Sequence, residues 1–262
     1  MITRANRATA DGVAAILARN VMVYRHTWAL LLAEILEPIL YLGSVGLGIG
    51  ELVGRVPGLG STHVRYAEFV APALLATAAM NGSMNETTFL MYGRLAVERI
   101  YQPILATPVG IAEIALGEAA WAILRGTVVT MAFLGVIASF GLVHSPWALL
   151  ALPGAALIGF AFAAAGIVVV TYLRSFADMQ YIQLVMLPMF LFATTFYPLG
   201  VYPRPVQVAV ECLPLYQCIE LLRRPALGEV NAQLLVPVAY LLVMGAVSLA
   251  WALRRMHSVL VH

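Results

Sequence analysis

The stretch YGRLAVERIYQPILATPVG, Tyr92 to Gly110, separates two long apolar runs, and its reading decides the fold. It carries Arg94, Glu98 and Arg99 and then two prolines, Pro103 and Pro108. On either side the chain stays apolar for the length of a bilayer crossing, which asks for about 20 residues of helix. A charged, proline-bounded connection between two such runs is what joins two spans of a polytopic helical protein.

The composition points the same way. Of 262 residues, 62% are hydrophobic and 11% charged, and the mean hydropathy is +0.90, more apolar than a soluble core of this size requires. The net charge of +2 is carried by scattered residues, which gives nucleic-acid binding no support. All 15 basic residues are Arg. Without a lysine the chain cannot form the phosphate-cradling G-x-x-x-x-G-K-[ST] loop, so any nucleotide energy must come through another subunit.

Working outward from Tyr92, six segments are long and apolar enough to span: Thr27 to Gly50, Phe69 to Met91, Ile111 to Val143, Trp147 to Tyr172, Tyr181 to Tyr197, and Leu234 to Leu253. The fold class is therefore all-α, with residues 1–262 forming one transmembrane domain. The third segment is too long for a straight crossing. It also holds Glu113, Glu118 and Arg125, so it is expected to begin in the interface and to span from about Arg125 onward. Residues 1–26 lack the compact apolar core of a signal peptide. Val13, Ile16, Leu17, Val21 and Met22 alternate there with Asp11, Arg19, Asn20 and Arg25, the pattern of an amphipathic helix lying in the interface. Trp28, Trp147, Tyr172, Tyr197 and Trp251 fall near span ends as interfacial anchors.

Six spans put both termini on one side. Arg4, Arg7, Arg19, Arg25, Arg94, Arg99, Arg174, Arg254 and Arg255 share that side, against Arg55, Arg65, Arg204, Arg223 and Arg224 on the other. The positive-inside rule then makes the termini, and residues 92–110, cytoplasmic. Residues 198–233 become extracytoplasmic. They are too apolar for a solvated loop and read as short re-entrant or interfacial helices broken by Pro203, Pro205 and Pro214.

In that order the chain resembles the membrane permeases of type-2 ABC exporters, and most closely those that export nodulation factors, with drug-export permeases next. The likeness is carried by VYRHTW and LEPILYLGSVGLGIG in the first span, YAEFVAPALLATAAMNGSMNET in the second and YQPILATPV after it. GEAAWAILRG in the third, FYPLGVYP and LPLYQCIELLR complete it. The resemblance implies a bacterial inner-membrane subunit that binds no cofactor itself. It would form a dimer, with the first and fifth spans at the interface, and work with two copies of a separate ATPase that binds ATP and Mg. It would export an amphipathic or lipid-linked molecule, a lipo-oligosaccharide or a hydrophobic drug. It also implies that the short helix after the second span docks on the ATPase. The residues expected to do so are Arg94, Leu95, Glu98, Arg99, Ile100, Tyr101 and Gln102, with Pro103 ending the helix.

Inside the apolar segments, Glu34, Glu37, Glu86, Glu118 and Arg125 stand out, because intramembrane charges are costly and pair or face a cavity. Glu118 and Arg125 share a helix face about 10 Å apart and should not bond directly. Arg125 is expected to meet Glu86 or Glu37 from a neighbouring helix, in a structural ion-pair network, with substrate contact or gating as the other reading. The small-residue runs Gly43 to Gly50 and Gly154 to Gly166 favour close helix packing. The methionines and phenylalanines between Met179 and Phe196 read as packing residues that could also line an apolar path. Cys212 and Cys218 fall in the outer segment, where an oxidising compartment would permit a bridge that their spacing does not demand, and read as reduced thiols with the disulfide as the alternative; five dispersed histidines suggest no metal site.

Two other functions compete. DGVAAILAR looks like the start of a lipid-forming phosphotransferase motif, but its spacing is wrong, and Asp11 and Asp178 are the only aspartates, too few for that metal chemistry. An ATP-independent carrier would tend to show internal repeats around a midplane site, and none is found.

Overall fold

The computed structural model describes residues 2–25, 28–57, 63–143 and 145–260. Thr27, the predicted start of the first span, lies outside them, as do His26, His144 and His262 and the side chains of Arg4, Arg7, Trp28 and His63.

The chain is a helical bundle. Helix α1 (Ile2–Tyr24) precedes a first long helix made of α2 (Trp28–Tyr41), a π-helical stretch (Leu42–Ile49) and α3 (Gly50–Val53). A short antiparallel hairpin follows, β1 (Arg55–Pro57) and β2 (His63–Arg65), pairing Arg55 with Arg65 and Val56 with Val64; the all-helical expectation omitted it. Next come α4 (Tyr66–Asn85), α5 (Tyr101–Leu105), α6 (Ile111–Ser139), α7 (Ala151–Val170) and α8 (Met179–Phe192). Helices α9 (Arg204–Glu211), α10 (Pro214–Ala226) and α11 (Leu235–Leu260) complete the chain. Among the described residues, four helical stretches are long and apolar enough to cross a membrane: Leu31–Val53, Ile111–Ser139, Pro146–Val170 and Ala232–Leu260. The apolar helix Phe176–Phe192 is shorter.

Helix α4 is the axis of the bundle. Ala71, Ala73, Ala76 and Ala79 are all buried along it, and their small side chains let α6, α7 and α10 pack closely around it. The run Gly154 to Gly166 on α7 does what its composition suggests. A methyl group at Gly166 would lie 2.0 Å from the Thr87 hydroxyl, and one at Gly154 would lie 2.6 Å from Leu222. The run Gly43 to Gly50 does so only in part: a methyl group at Gly46 would lie 3.5 Å from that of Ala67 on α4, whereas nothing lies within 4 Å of where a side chain would start at Gly43 or Gly48.

Three further expectations need correction. Residues 94–102 do not form one helix. The α4 helix continues through two π-helical stretches (Glu86–Leu90 and Gly93–Val97), and the chain breaks at Arg99, whose φ is +50°; α5 then starts anew at Tyr101. Pro103 sits in the first turn of α5, where its missing N–H has no helical acceptor to lose, so it does not end a helix there. Likewise Pro203, Pro205 and Pro214 stand at the starts of α9 and α10 instead of breaking helices. Lastly, α1 is docked on α6: Ile16 is buried, and a methyl group on Gly117 would lie 2.6 Å from its Cβ.

Helix α10 is buried against α4, α7 and α11. Arg223, assigned from sequence to the outer re-entrant segment, is buried. It donates to the Phe69 carbonyl at 3.2 Å and the Thr194 carbonyl at 2.7 Å, and its guanidinium lies 3.8 Å from the centre of the Phe69 ring. Cys218 is buried and Cys212 exposed, both as free thiols.

Candidate functional site

Five charged residues from four segments form one continuous chain of contacts. Glu118 on α6 accepts from Arg94 Nη1 at 2.6 Å, and Arg94 Nη2 donates to Glu86 Oε1 at 2.7 Å. The other oxygen of Glu86 accepts from Arg125, whose second terminal nitrogen donates to Glu34 on α2. The order Glu118, Arg94, Glu86, Arg125, Glu34 therefore alternates in sign at every step.

Helix α1 closes the network from outside the bundle. Asn20 donates to Glu118 at 3.0 Å and Arg19 reaches the same carboxylate at 3.4 Å. The Tyr24 hydroxyl donates to Glu86 at 2.8 Å and accepts from Arg125, whose guanidinium also lies 4.6 Å from the centre of the Tyr24 ring. From α5, Tyr101 donates to Glu118 at 2.8 Å. Burial, with the Glu118 carboxylate beside it, holds that phenol protonated well above the usual tyrosine range. Three carboxylates (Glu34, Glu86, Glu118) meet three guanidiniums (Arg19, Arg94, Arg125), so the cluster is neutral as a whole. That balance, with hydrogen bonds to most of the remaining lone pairs, is what allows Glu86 and Glu118 to be almost fully buried.

Two atoms stay open. Glu34 Oε2 and Arg125 Nε are buried without a hydrogen-bond partner among the described residues. Glu34 also lines a cavity of about 220 Å³ between α2, α4 and α8, with Glu37, Thr77, Asn81, Gln183, Met186 and Phe190 around it. The network thus runs from the short helix α5 to the wall of a mixed polar and apolar cavity.

The structure brings together four of the five intramembrane residues chosen from sequence; Glu37 stands apart, exposed on the cavity wall. Of the residues chosen for docking, Arg94 and Tyr101 turn inward into the network, whereas Glu98, Arg99 and Gln102 are exposed together with Val97. Arg94 and Glu98, four residues apart, do not pair, because both terminal nitrogens of Arg94 are committed to Glu118 and Glu86. Sequence reasoning missed Arg19, Asn20 and Tyr24. The available signal was the spacing of Ile16, Asn20 and Tyr24, one helical face on which polar groups replace the apolar stripe. Among the described residues no three His, Cys, Asp or Glu side chains are grouped to hold a metal ion.

Residues 12–226 match the family model described as ABC-2 type transporter. The chain is similar to Nodulation protein J of Rhizobium leguminosarum bv. trifolii, 35% identical over 219 residues covering 82% of this chain and 81% of the relative. The same-named protein of Rhizobium leguminosarum bv. viciae is 32% identical over 248 residues, 92% and 94% of the two chains. That of Rhizobium meliloti (strain 1021) is 32% identical over 217 residues, 82% and 81%.

Proposed function

Because the chain belongs to the ABC-2 type transporter family, and is thus a multi-pass membrane permease subunit without a catalytic domain, we propose that it forms the transmembrane path of an ATP-driven exporter. Two copies pair, and each engages one ATPase subunit that binds ATP and Mg. The cargo is amphipathic or lipid-linked, of the lipo-oligosaccharide class; the similarity to the Nodulation protein J relatives supports this choice over a general hydrophobic drug.

On this reading six segments span the inner membrane. To the four long apolar helices are added α4 with its π-helical extension, and α8. Both termini and the turn after α4 face the cytoplasm, and residues 198–233 form the outer re-entrant segment. The exposed Val97, Glu98, Arg99 and Gln102 contact the ATPase, and the inward-facing Arg94 and Tyr101 couple that contact to the bundle.

One observation carries the proposal. Arg94 lies on the helix that leads into the exposed turn, and three contacts later the same network ends on Glu34 at the cavity wall. A displacement of the turn by ATPase closure pulls on Arg94 and so on Glu86, whose other partner Arg125 holds Glu34. Allosteric coupling requires a physical connection with differential contacts in two states, and this network supplies the connection.

The test is co-expression with an ATPase encoded beside this chain, purification through a tag on the permease alone, and measurement of ATP hydrolysis in lipid. Co-purification with hydrolysis that falls on Glu98→Ala and Arg99→Ala substitution supports the reading. Folded permease that retains no P-loop subunit overturns it in favour of an ATP-independent carrier. Unchanged hydrolysis in the two variants would reject the assigned docking residues alone.

A further inference from the structure

At the hairpin end of the bundle a groove of about 500 Å³ opens between the first long helix and the facing ends of α4 and α6. Its volume falls within the range of about 300–1,000 Å³ typical of small-molecule sites. Ile39, Leu42, Val136, Phe140 and Leu142 make its walls apolar, and Gly43 leaves its side open.

The mouth is polar. Glu51, Arg55 and Arg65 stand there, and the hairpin register sets the two arginines directly opposite each other. Like charges so placed repel, so strand pairing does not explain Arg55. Arg65 is engaged by Glu68 and by the Gly141 carbonyl. Arg55 and Glu51 are exposed, and neither has an ion-pair partner among the described residues. The mouth therefore offers one free cation and one free anion above an apolar slot.

We infer that this groove holds a zwitterionic phospholipid, with an acyl chain along the glycine-lined slot, the phosphate on Arg55 and the headgroup ammonium on Glu51. A free phosphate would leave the apolar walls without a partner. A purely anionic lipid would set its charge beside Glu51. This site is separate from the Glu34 cavity, and its occupant does not depend on which cargo is exported.

The test uses the full chain purified from nanodiscs of equal phosphatidylethanolamine and phosphatidylglycerol, with retained lipid counted by native mass spectrometry. Phosphatidylethanolamine is expected to outnumber phosphatidylglycerol by about tenfold, the ratio that one added charge-assisted contact gives. Glu51→Gln should abolish that preference, Arg55→Gln should lower retention of both lipids, and Gly43→Phe should empty the groove. A side chain at Gly43 starts in open space, and circular dichroism of the three variants confirms that each is folded. Equal retention of the two lipids by the unaltered chain overturns the assignment, as does phosphatidylethanolamine retention that survives all three substitutions. A disulfide between two copies carrying Gly43→Cys would show instead that a second chain covers the groove.

Discussion

Arg94 reaches back 2.7 Å to Glu86, eight residues earlier on one continuous helical run. Two π-helical stretches lie between them or overlap them, and such widened turns occur preferentially at functional positions. The same guanidinium holds Glu118 of α6 at 2.6 Å, so a single side chain ties the second helical run to the third.

Removing Arg94 should therefore be far more damaging than removing an exposed arginine. Arg94→Ala leaves two buried carboxylates short of a partner, and breaking a buried pair from one side costs about 3–5 kcal/mol. Thermal unfolding in detergent, compared with Arg174→Ala on the exposed turn after α7, measures the difference; similar melting temperatures would show that the network does not stabilise the fold.

Glu34 is expected to behave differently, since it is the network member at the cavity wall with one oxygen unpartnered. Glu34→Gln keeps one acceptor for Arg125, so melting should shift little while cargo-stimulated ATP hydrolysis falls. A large loss of folded protein with normal stimulation would make Glu34 a purely structural residue.

Arg99 occupies the left-handed region at φ +50°, where a non-glycine residue carries roughly 1–2 kcal/mol of strain. Arg99→Gly should relieve that strain and still weaken ATPase engagement, because the exposed charge is gone. Melting temperature and co-purified ATPase should thus move in opposite directions, and parallel movement would contradict the argument.

Gly166→Ala tests the packing of α7. Its methyl group would meet the Thr87 hydroxyl at 2.0 Å and the Thr87 Cβ at 3.0 Å, so the Thr87 side chain must rotate or the π-helical stretch that carries it must shift. Overpacking of this kind costs about 1–3 kcal/mol. The double change Gly166→Ala with Thr87→Ala should recover part of the loss in a thermal melt.

Much of the bundle was legible because helical apolar runs have a length that composition reveals. The start of α6 at Ile111 and the paired roles of Glu86 and Arg125 could be read directly. The break at Arg99 could not, since nothing in a run of ordinary helix formers marks a residue with positive φ. Arg94 misled for a related reason. Its position in a charged turn suggested solvent, and only the inward facing of the extended helix shows that its charge is buried. Arg19 and Asn20 were read as the polar flank of an interfacial helix because a sequence does not say whether lipid or protein covers an amphipathic face.

The alternation of charge along the network also bears on how the chain is made. Glu34 and Glu86 leave the ribosome before either arginine that neutralises them, and Arg125 emerges only with the third long helix. A carboxylate alone in lipid is costly; Glu86 meets Arg94 within its own helical run, whereas Glu34 on the first run waits for Arg125 of α6. Settling of the first run is then tied to the arrival of α6, and a chain truncated before residue 125 should be cleared by membrane proteases while one truncated just after α6 persists.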